Sequence, residues 1–269
     1  MADVFLGTWV VAYRELLRFM QERTRLFSSF AMPLLFLVIF GAGFNRIIGA
    51  MTPGVNFIQF MYPGIIAMTV LMNSVMSGLS IVWDREFGFL KEILVAPLGR
   101  SGIVLGKAAG SATVAVVQGI VMLVLAPFLG VSLSLLMVIQ LIPMLIIISM
   151  SLSGLGVLIA SRMRSQQGFQ IVIQLIIFPM MFLSGVFFPV NNVPTWMEVI
   201  SKINPLTYGV DAIRRLFLSK EIAAMGQAGN TIGVTVLGHT MTILEDVLIV
   251  TIFGIVLMSI AVWSFSKQE

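Results

Sequence analysis

The sequence predicts an all-α integral membrane protein with six transmembrane helices, preceded by an amphipathic helix at the inner interface. Three observations carry this. Only 10% of the 269 residues are charged, 58% are hydrophobic and mean hydropathy is +1.04. A soluble domain carries roughly 25% charged residues, so no water-soluble surface can be built from this composition. Apolar runs of spanning length, about 20 residues, recur along the chain, and Lys and Arg gather between alternate runs. That alternation is the mark of segments held on the cytoplasmic side. The net charge of +4 therefore reads as positive charge beside anionic lipid, with no nucleic-acid partner. No cysteine is present, which excludes disulfides and thiolate metal sites. The single histidine, His239, excludes any site needing two.

Residues 1–25 form the interfacial helix. Arg14, Arg18, Glu22 and Arg25 lie near one face, with Val10, Leu16, Leu17 and Met20 elsewhere, which suits the headgroup level of the inner leaflet. The first strongly apolar run begins only near Phe27, after four arginines, and so reads as a retained span and not a cleaved signal. Residues 26–269 form the transmembrane domain, with spans at about 27–44, 57–82, 106–127, 135–161, 168–188 and 247–265. Positions 108–161 hold no charge and as one helix would run about 80 Å. The break therefore belongs at "PFLGVSLS", Pro127–Ser134, giving a hairpin closed by Arg162 and Arg164. Six crossings place both termini on one side. With N- and C-termini cytoplasmic in the cell (plasma or inner) membrane, eleven of the sixteen Lys and Arg lie inside.

After the fifth span, "PVNNVPTWMEVISKINPLTYGVDAIRRLFL" (Pro189–Leu218) is too short and polar in each piece to cross. It reads as two short helices at the outer surface. Thr195 caps the first, and Asn204–Pro205 supplies a cap and a first-turn proline for the second. The glycine-rich stretch Gly226–Thr240 reads as an outer loop.

No catalytic residue or metal ligand is assigned. "GIVLGKAAG" (Gly102–Gly110) imitates a phosphate-binding loop, but its glycines are too close and Ala108 stands where Ser or Thr should hold magnesium. "GRSG" (Gly99–Gly102) imitates the serine motif of rhomboid-type intramembrane proteases. Ser101 would need a base, and His239 is predicted on the opposite side of the bilayer. Ionisable groups cluster at the span ends, whereas a self-powered carrier keeps a carboxylate or histidine relay within the membrane. Milder polarity remains: Asn73, Ser77 and Ser80; Ser111, Thr113 and Gln118; Ser149, Ser151 and Ser153; Gln170 and Gln174. With Gly154 and Gly156 these are either interhelical glue or a weakly polar lining for an amphipathic substrate. The result is a transport body without a motor.

One charged stretch interrupts the apolar pattern on the inner side. In "REFGFLKEILVAP" (Arg85–Pro97), helical spacing puts Phe89, Leu90, Ile93 and Leu94 on one side, with Phe87 at its edge. Arg85, Lys91 and Glu92 fall on the other, and Glu86 lies close to the apolar side. Such a helix either floats in the interface or offers its ridge to a groove on a soluble partner.

Together with "LSGVFFP" (Leu183–Pro189) and "INPLTYGVDAIR" (Ile203–Arg214), that segment resembles ABC-2 type transporter permeases, the daunorubicin/multidrug-resistance branch in particular, over nearly the whole chain. The resemblance implies the permease subunit of an exporter, itself not an enzyme. Two copies of a separate ATP-binding subunit would hold ATP and Mg, and a second permease would complete a homodimer or close heterodimer. It implies an ATPase-coupling role for Arg85, Glu86, Phe87, Gly88, Leu90, Lys91 and Glu92. It also implies outer helices that partly re-enter the membrane, marked by Pro189, Asn204, Pro205, Tyr208, Asp211 and Arg214. The path would lie between two permeases, lined by spans one, two and five and passing near Asn73, Ser77 and Phe178, for amphipathic or lipid-like cargo. The alternative from another class is a stand-alone channel or secondary carrier.

Overall fold

The computed structural model describes residues 2–51, 57–88, 100–131, 133–219, 233–236 and 238–267. Its helices are α1 (Ala2–Gln21), α2 (Arg23–Met51), α3 (Phe57–Met76), α4 (Leu79–Glu86), α5 (Arg100–Leu125), α6 (Leu135–Arg162), α7 (Gln166–Phe182), α8 (Thr195–Ile203), α9 (Pro205–Phe217) and α10 (Ile243–Ser266). Among the described residues, four apolar stretches are long enough to cross a membrane: Phe57–Glu86, Ser101–Leu129, Leu135–Arg162 and Ile243–Phe265. Two shorter ones, Phe27–Gly41 and Gln166–Phe182, fall at the remaining predicted spans. The chain is thus a helical, multi-pass membrane protein.

Local chemistry explains most boundaries. After α5 a short 3-10 turn ends at Gly130, whose φ of 73° lets the chain reverse where "PFLGVSLS" was expected to break. Ser134 then caps α6, accepting from the Met137 amide at 3.2 Å. Thr242 and Glu245 form a reciprocal capping box at the start of α10.

The second span is not one helix, as expected, but two, with a turn at Ser77–Gly78. Gly78 lies against the Gly156 carbonyl of α6, and Gly156 lies against the Val75 carbonyl, so neither position has room for a Cβ. Ser77 donates to the Ser74 carbonyl at 2.6 Å and Ser80 to that of Ser77 at 2.9 Å, back-bonding of the kind that bends helices. On the other side of α6, Gly154 meets Leu257 and Met258 of α10, and Gly254 of α10 meets Ser151. α6 is therefore gripped on two faces by backbone-close packing. α3 is buried nearly all round, as expected of a helix apolar on every face, and its Tyr62 hydroxyl donates to the Met122 carbonyl of α5.

α1 was expected on the inner leaflet; the structure gives it a protein partner. It packs along the first half of α5, where a Cβ on Gly106 would come within 2.6 Å of Val11 and one on Gly110 within 2.8 Å of Glu15. The glycines that fail as a phosphate loop serve as small-residue helix packing.

At the other end three expectations need correction. The fifth span stops at Phe182 and not Phe188, because the chain turns at Gly185 (φ 81°) and buries Val186 and Phe187 off the helix. Thr195 does not cap α8; it is the first helical residue after Pro194, and no side chain caps that end. α9 does not lie at the surface. Eleven of its thirteen residues are buried, and Gly209 abuts Ile148, midway along α6. Within the expected Gly226–Thr240 loop, Thr235–Val236 pairs with His239–Thr240 as a small hairpin; residues 226–232 and 237 lie outside the described ones.

Replacing Gly156 by Ala should force α3 and α6 apart at Val75–Gly78. The expected cost is about 1–3 kcal/mol, as for overpacking elsewhere, read as a lower midpoint of thermal unfolding in detergent. An unchanged midpoint would contradict the close approach.

Candidate coupling face and outer cap

The charged stretch begins on the last turn of α4. Phe87 and Gly88 amides bond back to the Trp83 and Arg85 carbonyls at 3.0 and 3.2 Å, with Gly88 at φ 82°, a left-handed helix stop. The helix that carries Arg85 and Glu86 therefore ends before Gly88, which corrects the reading of the stretch as a single helix from Arg85, and Phe89 lies outside the described residues. Leu90, Lys91 and Glu92 lie outside the described residues. Successive helical residues are turned by about 100°, so Asp84, Arg85 and Glu86 point three ways. Asp84 faces Arg14 of α1 at 3.6 Å and Lys107 of α5 at 3.9 Å. Arg85 donates to the Ala160, Ser161 and Met163 carbonyls at the end of α6, the first two at 3.3 and 3.2 Å. Glu86 accepts from the Gln166 amide, the first residue of α7, at 3.0 Å. A cation at a helix C-terminus and an anion at an N-terminus both match the helix dipole. Phe87 is exposed.

Behind this fan sits an ion cluster that sequence reasoning missed. Lys107, counted there as an inner-loop cation, is only 3% exposed. It donates to Glu15 of α1 at 2.7 Å and to the Ser80 hydroxyl. Burial alone would raise the Glu15 pKa, but Lys107, helped by Arg14 and Arg18, outweighs it and holds the carboxyl below its ordinary value. Arg18 also stacks over the Trp83 ring at 4.5 Å. The one available sequence signal was the four-residue spacing of Gly106 and Gly110 around Lys107, which marks a face where another helix comes close.

Between α1 and α4 lies an open cleft of about 1070 Å³, lined by Tyr13, Arg14, Arg18, Trp83, Phe87 and Gln166 among others. Ser77 lines a narrower cleft of about 180 Å³ with Glu15 and Ser80. Asn73 and Ser77 together line one of about 20 Å³ with Glu15, Phe19 and Ser111. Phe178 is not among these residues. It belongs to an exposed stripe on α7 with Ile171, Leu175 and Phe182, opposite the buried stripe Phe169, Ile173, Ile177 and Met181. Phe187 packs against Phe36 and Phe40 of α2 and Phe182 of α7, at 5.8, 5.5 and 5.1 Å between ring centres.

The residues of the second motif tie helix ends and turns together. Asn204 caps α9 by accepting from Leu206 at 3.1 Å and donates to the Met180 carbonyl at 2.7 Å. Tyr208 donates to the Lys202 carbonyl at 2.7 Å. Arg214, 3% exposed, donates to the Gly185 carbonyl at 2.6 Å and the Phe60 carbonyl at 3.3 Å. Asp211 accepts from Arg215 at 2.9 Å and from the Val234 amide at 3.0 Å. Asp246 of α10 is fully buried, 4.0 Å from Arg215. Pro189 precedes the short turn Val190–Asn192. Ser101 opens α5, whereas His239 sits on the hairpin facing Glu245 at 3.2 Å.

The sequence model of the family described as ABC-2 type transporter matches residues 7–218, from α1 through the end of α9. The chain belongs to that family. A putative transport permease ycf38 of Cyanophora paradoxa is 32% identical over 78% of this chain and 73% of its own. The probable multidrug ABC transporter permease YbhR of Escherichia coli K12 is 32% identical over 62% of this chain and 45% of its own. Nodulation protein J of Rhizobium meliloti is 28% identical over 74% and 76%. For an ABC-2 permease, the α4 end is then the face from which the charged segment departs, and α8–α9 form the cap at the opposite end.

Lys107→Met should remove the buried cation that bonds Glu15, costing about 3–5 kcal/mol, as for other broken buried pairs, read as a lower midpoint of thermal unfolding. Glu15 adds stability that is full above its ordinary pKa of 4.5 and is lost as pH falls through its lower folded value. The stability difference between wild type and Glu15→Gln, followed by thermal unfolding across pH, should therefore shrink only in acid below 4.5.

Proposed function

We propose that this chain is the permease of an ATP-driven exporter, and that a separate ATP-binding subunit docks at the α4 end. The observation that carries the reading is the fan of Asp84, Arg85 and Glu86. The base of the charged segment is fastened to α1, α5, α6 and α7 at once, so a push on the segment has four helices to act on. Docking itself rests with the residues past Gly88, among them Leu90, Lys91 and Glu92. In this reading the chain crosses the membrane six times with both termini cytoplasmic. Two permeases pair with two ATP-binding subunits, which hold the ATP and Mg. The path runs along α2, α3 and α7, near the exposed stripe that includes Phe178, with Asn73 and Ser77 deeper in. The cargo is amphipathic or lipid-like; the name of YbhR, a probable multidrug permease, supports this class.

The chain purified alone should hydrolyse no ATP, and an ATP-binding subunit expressed with it should co-purify. Lys91→Glu combined with Glu92→Lys should weaken that assembly by roughly tenfold or more, the scale of interfacial charge pairs, while membrane insertion persists. Release of an amphipathic dye from liposomes holding this chain alone, without ATP, would instead establish a self-sufficient channel or carrier.

A further inference from the structure

Arg85 and Glu86 open the charged stretch, yet both are turned towards their own chain. The Arg85 guanidinium is directed at three carbonyls ending α6, and the Glu86 carboxylate takes the first amide of α7. The two helices joined by that turn are held very differently. α6 is locked through Gly154 and Gly156 to α10 and α3. α7 touches α3, α4 and α6 only lightly and shows an apolar stripe outward. Its far end is pinned, since Asn204 donates to the Met180 carbonyl at 2.7 Å and Phe182 stacks on Phe187. Its near end is held by Ser165, which accepts from Gly168 at 3.2 Å, and by Glu86. A helix fixed at one end and gripped by a lever at the other will tilt when the lever moves.

We infer that Arg85 and Glu86 are positioning residues that carry movement of the segment beyond Gly88 to the α6–α7 turn, with α7 as the helix that responds. This rests on the reading that an ATP-binding subunit drives that segment, but it separates transmission (Arg85, Glu86) from docking (Leu90, Lys91, Glu92).

The chain has no cysteine, so Ile171→Cys on the exposed side of α7 carries a single spin label. In the reconstituted complex, adding ATP and vanadate should change the mobility of that label. With Glu86→Ala the ATP-binding subunit should still co-purify, but the change should fall at least about fivefold, the low end of a coupling free energy. Glu86→Gln keeps an acceptor for the Gln166 amide without the charge and should restore the change. Gln166→Pro removes the donor instead. Position 166 follows the Ser165 cap, where the backbone is extended and proline is well tolerated, so this variant keeps the fold and should reproduce Glu86→Ala.

An ATP-driven change that survives both Glu86→Ala and Gln166→Pro would overturn the inference. So would loss of co-purification in Glu86→Ala and Glu86→Gln alike, which would make Glu86 a docking charge. If the wild-type complex forms and hydrolyses ATP but the label stays unchanged, the inference alone fails. If no ATP-binding subunit co-purifies, the proposed function fails and the inference falls with it.

Discussion

Charged groups in so apolar a chain settle where other groups answer them, and three consecutive residues, half-buried at Asp84 and Arg85 and exposed at Glu86, do so for a whole end of the bundle. Asp84, Arg85 and Glu86 face the α1–α5 pair, the end of α6 and the start of α7. The arrangement works because α4 is helical over this turn: each side chain leaves at about 100° to the last, so one short helix serves three directions. Rotating α4 by a single residue would misdirect all three. The turn at Ser77–Gly78 matters for the same reason, since it lets α4 take a rotational phase independent of α3. Gly78 and Gly156 permit that turn by letting two backbones touch.

The opposite end solves a different problem with the same economy. There the helices stop early, at Phe182 and Ile203, and leave carbonyls and amides that lipid cannot satisfy. Asn204 and Arg214 supply partners there, at Met180 and Gly185, and Arg214 and Asp211 reach further, to Phe60 of α3 and the Val234 amide. Arg214 adds a stacking contact over the Phe60 ring at 3.9 Å. Their common task is backbone satisfaction. That explains why a motif of ordinary polar residues contains nothing resembling a catalytic centre.

The helical class, the six apolar stretches and the α5–α6 hairpin were legible because hydropathy and charge spacing report them directly. The Asn204–Pro205 start of α9 was legible because its capping chemistry is local. Depth was not legible. "INPLTYGVDAIR" is too polar to look like a core helix, yet α9 is buried because Asp211 and Arg214 find partners far along the chain. The break at Gly78 was invisible for a similar reason: it depends on Gly156, and pairwise backbone contact leaves no trace in a hydropathy profile. Lys107 looked like a loop cation since its partner, Glu15, lies 92 positions away. Within the candidate coupling residues, the sequence marked the segment but not the inward turn of Arg85 and Glu86. The helix stop at Gly88, readable only from its left-handed backbone, follows directly on the side chains turned inward.

Helices in lipid gain little from hydrophobic association with one another, so close packing and polar contacts set how firmly each is held. By that measure the bundle is uneven. α3, α6 and α10 meet through glycines, with α9 wedged among them and fastened by buried polar bonds. α1 and α5 join through another glycine pair and a buried ion pair. Among the described residues α7 has neither kind of seam along its length, and α2 has one close glycine, Gly41 against Ile58 of α3. They meet the rest through side-chain packing on α3 and through the aromatic cluster at Phe187. Both leave large apolar side chains facing outward, as α1 and α10 also do. α7 is thus the lightly held helix beside the glycine-seamed block, and Glu86 reaches from that block to its near end. In the proposed transmission, this difference in hold would let a push at Glu86 tilt α7 instead of dissipating through the whole bundle.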